Sequence, residues 1–128
     1  MTEPVPIRIS SETSPLEAVI LHRPGPEVEN MTPANAERAL YSDILNLSVA
    51  SEEYDQLKGV LDKVSRTFEV RELLCGILEN DRVKEELVRR ICCNEEICQA
   101  ADTLLDLPAL QLAGQLIEGV PLVKDNLT

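Results

Sequence analysis

The sequence predicts an α/β chain in which a strand–helix–strand unit is followed by a small bundle of helices. Residues 18–22 and 67–70 are short runs of aliphatic, aromatic and β-branched residues, the composition of buried strands. Between them, apolar residues recur at steps of three and four, which is the spacing of an amphipathic helix. Because a long helix between two strands suits a βαβ connection, we expect a right-handed crossover. The predicted units are residues 1–71 and 72–128.

Turn-forming residues bracket the first predicted strand. Pro15 stands before it, and Pro24-Gly25 forces the chain to turn as it leaves the strand. After that turn, Thr32-Pro33 offers a cap and a first-turn proline for a helix over residues 34–40. Ahead of the strand, some apolar residues alternate with other residues, and this period of two predicts a short edge strand. Those residues are Val5, Ile7 and Ile9.

A long amphipathic helix is predicted between the two strands, over residues 47–64. Ser48 or Ser51 would cap its N-terminus, and Glu52-Glu53 in the first turn would interact favourably with the helix dipole. The apolar positions that define its buried face are Leu47, Ala50, Tyr54, Leu57, Leu61 and Val64.

The second half of the chain predicts about four short helices. The first continues over residues 72–78, and Asn80 caps the second, where Glu and Arg residues are paired at favourable spacing. Asn94 is predicted to cap the third helix, and Pro108 to begin the fourth, which Gly119 ends. Short connections between such helices favour a bundle.

The composition of the 128 residues fits a globular protein of one domain, or of two small subdomains. Hydrophobic residues make up 44% of the chain and charged residues 27%, which argues against disorder. The aromatic residues are Tyr41, Tyr54 and Phe68 alone. We therefore expect a core of Leu, Ile and Val, which favours helix packing over a β-sandwich.

The net charge of −11 argues against nucleic-acid binding, because phosphate neutralisation requires a basic surface. No apolar run approaches the ~20 residues that span a bilayer. The N-terminus also lacks the basic flank and the apolar stretch of a signal peptide. We therefore expect a cytoplasmic protein that binds neither nucleic acid nor membrane.

Four cysteines require an interpretation of their own: Cys75, Cys92, Cys93 and Cys98. Without a secretory signal, an even number of cysteines does not indicate a disulfide framework. A metal site is not expected either, because the single histidine, His22, is distant in sequence and the cysteines lack CxxC spacing. Nothing near Cys92 and Cys93 supplies a general base, so neither is expected to be a nucleophile. We expect all four thiols to be reduced and mostly buried.

Several short sequence motifs occur in a fixed order along the chain, and the ordered set is more specific than any one motif alone. They are Ser11-Glu12, Pro15-Leu16, Val19-Ile20-Leu21-His22-Arg23-Pro24-Gly25, Glu29, Thr32-Pro33 and Leu40-Tyr41-Ser42-Asp43-Ile44-Leu45. This set resembles the N-terminus of arginine deiminases, which belong to the guanidine-modifying enzyme superfamily. A weaker match returns at Leu116-Ile117-Glu118-Gly119-Val120.

The resemblance implies a fold and an activity. The chain would be the N-terminal portion of an α/β propeller, comprising its first βαβ unit and most of an inserted helical bundle. The whole enzyme would hydrolyse L-arginine to L-citrulline and ammonia without a metal or organic cofactor. In that family the Cys nucleophile, the catalytic His and the substrate-binding carboxylates lie in later parts of the sequence. We therefore expect no catalytic residue in this segment, and no activity from it alone.

By the same resemblance, the loop and helix after the first strand help to cover the active site. Leu40 occupies the place of a gating leucine, and Asp43 lies in the same lid, although Tyr41-Ser42-Asp43 departs from the more common Phe and acidic residues. An ordinary core position for Leu40 is an equally open alternative. We expect His22 to bond to the backbone at the strand end, and Arg23 to be an exposed charge beside the turn.

Two alternatives stay open. The first is a related guanidine enzyme, such as an amidinotransferase or an agmatine deiminase. The second is a stand-alone acidic helical domain that binds a basic partner. For the leading interpretation, the expected partners are L-arginine for the whole protein and the remainder of its own chain, and a homo-oligomer is left open.

Overall fold

The structure is a computed structural model that describes residues 3–30 and 45–120. Its first part contains two short strands, β1 (Ala18–Leu21) and β2 (Arg66–Glu69), which pair in parallel. Both strands were expected from the sequence, and each lies within one residue of its predicted bounds. Their parallel pairing agrees with a βαβ connection.

Helices α1 (Pro26–Glu29) and α2 (Leu47–Leu61) lie between the strands in the sequence. Helix α2 confirms the predicted long helix, but it ends at Leu61 rather than Val64, which is exposed, and its cap is Asn46 rather than either predicted serine. The Asn46 side chain accepts the backbone N–H groups of Ser48 at 3.0 Å and Val49 at 3.3 Å. Because Asn46 satisfies these exposed N–H groups, the helix begins at the next residue.

The predicted edge strand around Ile7 and Ile9 is wrong. The segment over residues 3–10 contains no strand and pairs with neither β1 nor β2. The side chains of Ile7 and Ile9 are 93% and 88% exposed. The segment does contact β2, where the Arg66 guanidinium donates to the carbonyl oxygen of Glu3 at 3.1 Å. Alternation of apolar residues favours a strand only where a neighbouring strand supplies backbone partners.

Four α-helices and one short 3₁₀ helix form the second part of the described chain. Helix α3 (Val70–Leu78) follows β2 directly, and α4 spans Asp81–Asn94. A 3₁₀ helix over Cys98–Ala100 then leads into α5 (Ala101–Leu105) and α6 (Ala109–Glu118). The prediction of about four helices with short connections agrees with this arrangement.

Most of the predicted helix ends are confirmed. The Asn80 side chain caps α4 by accepting the backbone N–H of Val83 at 3.2 Å. Pro108 immediately precedes α6, and Gly119 ends it with a φ of 89°. Asn94, however, is the last residue of α4 and not the cap of a new helix. Its run of polar and acidic neighbours is typical of an N-cap, but the following residues fold back and bond to the end of α4 instead.

The helices of the second part surround one aliphatic core. Helix α3 packs against α6, and α4 packs against α3 and α5. Lys84 of α4 also donates to the carbonyl oxygens of Leu105 at 2.6 Å and Leu107 at 2.7 Å, at the end of α5. The buried residues of this core are Leu78, Val88, Cys92, Ala101, Leu104, Leu112 and Ala113. As the composition predicts, this core cluster consists of aliphatic side chains and one cysteine.

The four cysteines are all free thiols, but the prediction that most of them are buried is wrong. Cys92 is buried and Cys75 is half-buried, whereas Cys93 and Cys98 are exposed. Cys92 and Cys93 are neighbours on α4, and successive residues of a helix point about 100° apart. One of the two therefore enters the core while the other faces outward.

The structure thus confirms the coarse fold class, which is α/β with mostly helices and a small parallel sheet. The helix predicted over residues 34–40 lies outside the described residues. The division of the chain near residue 71 stays a prediction. Within the described ranges, none of the helices combines the length and the apolar character that a membrane span requires.

Candidate functional site

The carboxyl ends of β1 and β2 lie at the same edge of the sheet, because the strands are parallel. His22 and Arg23 directly follow β1, and Arg71 comes two residues after the end of β2. A small open cleft of about 100 Å³ lies at this edge. Its lining residues are His22, Arg23, Pro24, Gly25, Glu27, Arg71 and Ile117. In α/β sheets, ligands are commonly bound outside the carboxyl ends of the strands, so this edge is the candidate site.

The turn after β1 is held by the carboxylate of Glu27. One oxygen, Oε1, accepts the backbone N–H of Gly25 at 2.9 Å and lies 2.8 Å from His22 Nε2. The predicted backbone partner of His22 is therefore wrong, since its partner is this carboxylate. The other oxygen, Oε2, is buried and has no hydrogen-bond partner among the described residues. A Cβ atom on Gly25 would lie 2.7 Å from that oxygen, so an alanine there would push the Glu27 carboxylate out of its place.

Arg23 links the same turn to helix α2. Its guanidinium forms an ion pair with Asp55 and lies over the ring of Tyr54, 4.8 Å from the ring centroid. The Tyr54 hydroxyl in turn donates to Glu69, the last residue of β2. Hydrogen bonding to Asp55 raises the pKa of Arg23. The pKa of Tyr54 is raised, mainly by burial and next by the hydrogen bond to Glu69, so its hydroxyl stays protonated and remains a donor. Arg23 is exposed, as the sequence predicts, and it is also paired.

Arg71 joins the sheet edge to the helical part. Its guanidinium pairs with Glu118 at the C-terminal end of α6, which places Ile117 in the wall of the cleft. Ile117 and Glu118 lie in the short stretch near the end of the chain that matched arginine deiminases. The run from His22 to Gly25 lies in the densest matching stretch. The cleft therefore brings together two segments that carry the resemblance, although they are far apart in the sequence.

The carboxylates at this edge are already engaged by groups of the chain itself. The pairs are His22–Glu27, Arg23–Asp55, Tyr54–Glu69 and Arg71–Glu118. No cysteine is among the cleft-lining residues. In the described ranges, no three or more His, Cys, Asp or Glu side chains are grouped so as to hold a metal ion. These pairs fix the loops at the edge in place.

Both predicted gate residues, Leu40 and Asp43, lie outside the described residues, so their assignment stays a prediction. Cys92 and Cys93 lie on α4 and do not line the cleft. The expectation that the segment carries no catalytic residue also stays a prediction.

Sequence reasoning missed most of the residues that build this edge. Glu27, Asp55 and Glu69 were assigned no role, and Tyr54 was assigned only to the apolar face of α2. No local pattern connects Arg23 to Asp55, because 32 residues separate them. One signal was available: residues that follow two parallel strands must meet at one edge of the sheet.

The fold and this edge together define an α/β protein whose polar residues converge at the carboxyl ends of parallel strands. Among known proteins, the chain is 33% identical to an arginine deiminase of Limosilactobacillus fermentum over 122 residues, which cover 90% of this chain and 30% of that relative. An arginine deiminase of Oenococcus oeni is 31% identical over 94% of this chain and 31% of its own length. One from Borrelia recurrentis is 38% identical over 65% of this chain and 21% of its own length.

These similarities confirm the resemblance to arginine deiminases that the sequence motifs indicate. The chain spans about 30% of the length of the curated relatives that it matches over most of its own length. No family model matches the chain.

Proposed function

We propose that this chain is the N-terminal part of an arginine deiminase, and that the whole protein hydrolyses L-arginine to L-citrulline and ammonia. The observation that carries the proposal is the identity of 33% over 90% of the chain to a relative of which the chain covers 30%. Neither a metal nor an organic cofactor is needed for this reaction as we propose it. The expected location is the cytoplasm.

The chemistry explains why this segment would act as a support. A resonance-stabilised guanidinium group requires a strong nucleophile such as a Cys thiolate. Two carboxylates must hold its planar fork, and a His must protonate the leaving ammonia. At the cleft, however, Glu27 and Asp55 already bind His22 and Arg23. We therefore place the nucleophile, the catalytic His and the substrate carboxylates in the part of the protein beyond these 128 residues.

The sheet itself supports a larger assembly with the remainder of the chain. Tyr54 and Lys58 of α2 contact Glu69 and Thr67, so α2 covers that face of β2. Ile20 points to the opposite face, because side chains alternate along a strand, and it is 62% exposed. Parallel sheets are normally covered on both faces. We propose that further strands and helices of the whole protein complete an α/β propeller over this open face.

The cleft would then hold the base of an active-site lid. The turn fixed by Glu27 and Arg23 lies just ahead of the segment that contains Leu40 and Asp43. We propose that Leu40 acts as a gate over the substrate and that Asp43 belongs to the same lid. The division into residues 1–71 and residues 72–128 would separate this propeller part from the helical subdomain.

A citrulline assay tests the proposal. The intact gene product should convert L-arginine to citrulline, and the 128-residue chain alone should not. Citrulline formation by the short chain that is lost in Cys92→Ser or Cys93→Ser would contradict the proposal. Parallel assays with agmatine, and with an amine acceptor for the amidino group, distinguish the related guanidine enzymes from an arginine deiminase.

The net charge of −11 favours a second candidate function, in which a stand-alone acidic domain binds a basic partner. Such binding should weaken strongly with salt, because screening reduces attraction between exposed charges. Inactivity of the intact gene product together with salt-sensitive binding of a basic protein would favour this alternative.

A further inference from the structure

The thiol of Cys98 lies against the C-terminal end of α4. This helix ends in a turn in which the backbone N–H of Ile97 donates to the Cys92 carbonyl at 2.8 Å, and that of Glu96 to the Cys93 carbonyl at 3.2 Å. The pattern is a Schellman motif, with Glu96 in the left-handed region at a φ of 59°. Cys98 comes next, and its sulfur lies 3.9 Å from the same Cys92 carbonyl oxygen.

This turn brings together two thiols that differ in exposure. Cys98 is exposed, whereas Cys92 is buried in the core formed by the helices. Burial raises the pKa of the Cys92 thiol, and the neighbouring Cys98 raises it further. Cys93 is also exposed, but it points about 100° away from Cys92 around the helix axis. Because the Cys98 sulfur touches the backbone of Cys92, we take Cys92 as its partner.

We propose that Cys98 is a site of thiol oxidation by peroxides, and that Cys92 converts the oxidised form into an intramolecular disulfide. In the first step the Cys98 thiol loses its proton, and the thiolate attacks an oxygen of hydrogen peroxide. The O–O bond breaks, Cys98 becomes a sulfenic acid, and the departing hydroxide takes up the released proton as water. In the second step the Cys92 sulfur attacks the Cys98 sulfur, the S–O bond breaks, and the departing hydroxide takes up the Cys92 proton as water. Two thiols are oxidised, and one hydrogen peroxide is reduced to two waters.

The proposed bond would require a side-chain rotation at this turn. A disulfide needs sulfur atoms about 2.05 Å apart and Cβ atoms about 3.8 Å apart. The Cys98 side chain must therefore rotate away from the Cys92 carbonyl oxygen toward the Cys92 sulfur. The bond would tie the 3₁₀ helix over Cys98–Ala100 to the helical core and would fix the junction between α4 and α5. This inference is independent of the proposed deiminase activity.

Hydrogen peroxide treatment of the purified chain, followed by digestion with a glutamate-specific protease, tests the inference. Cleavage after Glu86, Glu95, Glu96 and Glu118 places Cys92 and Cys93 on the peptide 87–95 and Cys98 on the peptide 97–118. The expected product is these two peptides joined by a disulfide, lighter by two hydrogen atoms than the pair of reduced peptides. Fragmentation of the joined peptides identifies the bonded cysteine, and a reducing agent should separate them. The rate should rise with pH, because a thiolate is a far better nucleophile than a thiol.

Matched variants decide which cysteine takes part. Cys93→Ser and Cys75→Ser should still form the cross-link, whereas Cys98→Ser should lose it. Cys92→Ala should lose it too and should accumulate further oxidised Cys98. Because Cys92 is buried, circular dichroism must show that Cys92→Ala is folded. Fragmentation of the cross-linked Cys93→Ser product identifies Cys92 as the bonded cysteine without relying on the Cys92→Ala variant. A cross-link to Cys93, or oxidation of Cys98 with no cross-link, would overturn the proposal.

Discussion

Arg23 lies over the ring of Tyr54, with its guanidinium carbon 4.8 Å from the ring centroid. The two residues come from different elements, since Arg23 follows β1 and Tyr54 belongs to α2. Asp55 pairs with the guanidinium, and Glu69 accepts the Tyr54 hydroxyl. This contact joins the turn after β1, helix α2 and the end of β2.

Tyr54→Phe should lower the free energy of unfolding by about 1 kcal/mol, because Glu69 loses a hydrogen bond. The pKa of Tyr54 is raised in the folded protein, so folding favours the protonated hydroxyl. Its contribution is complete below about pH 10, the ordinary pKa of tyrosine, and is lost as the pH rises through the folded-state pKa. Urea unfolding of both proteins across the alkaline range should show a steeper decline for the wild type. Equal declines would contradict the assignment.

Gly25→Ala should destabilise the chain by about 1 kcal/mol, because the new Cβ displaces a carboxylate that holds the turn. Gly59→Ala is the matched control. Gly59 lies within α2 and has open space at its Cβ position, so alanine should stabilise the helix by roughly 0.5–1 kcal/mol. Urea unfolding measures both changes. If Glu27→Ala removes most of the cost of Gly25→Ala in a double-mutant cycle, the two effects share one cause.

Asn80→Ala should cost about 1 kcal/mol, because Asn80 caps α4. Asn94→Ala should have a smaller effect, since Asn94 is the last helical residue and not a cap. Thermal unfolding of the two variants compares the ends of the same helix. A larger loss for Asn94→Ala would support the N-cap that the sequence predicts for a following helix.

Glu96→Gly should stabilise the chain by up to about 1 kcal/mol, because Glu96 is in the left-handed region where a side chain is unfavourable. Glu79→Gly provides a control at the end of α3, where φ is −69° and glycine has no such advantage. The unfolding midpoints should therefore move in opposite directions. A decrease with both glycines would mean that interactions of the Glu96 side chain outweigh the backbone strain.

The sequence located local structure well where a residue's neighbours determine its conformation. The runs around Val19 and Phe68 formed strands, because β-branched and aromatic residues suit a pleated, partly buried surface. Asn80 and Gly119 lie at helix ends. The Asn80 side chain accepts a backbone N–H in the first turn of α4, and Gly119 adopts the positive φ with which α6 ends. The alternating residues Ile7 and Ile9 failed as a strand, because pairing requires a partner that local sequence does not specify.

The sequence by itself determined the α/β class, the two strands with the long helix between them, and the resemblance to arginine deiminases, because each depends on local composition or on an ordered set of residues. Only the tertiary structure decided that Arg23 meets Asp55, that Arg71 meets Glu118, and that Cys98 lies beside Cys92. The first two pairs join residues that are 32 and 47 positions apart, and the third depends on a turn with a left-handed residue. Such contacts arise from how elements pack and turn, which short-range propensities do not encode.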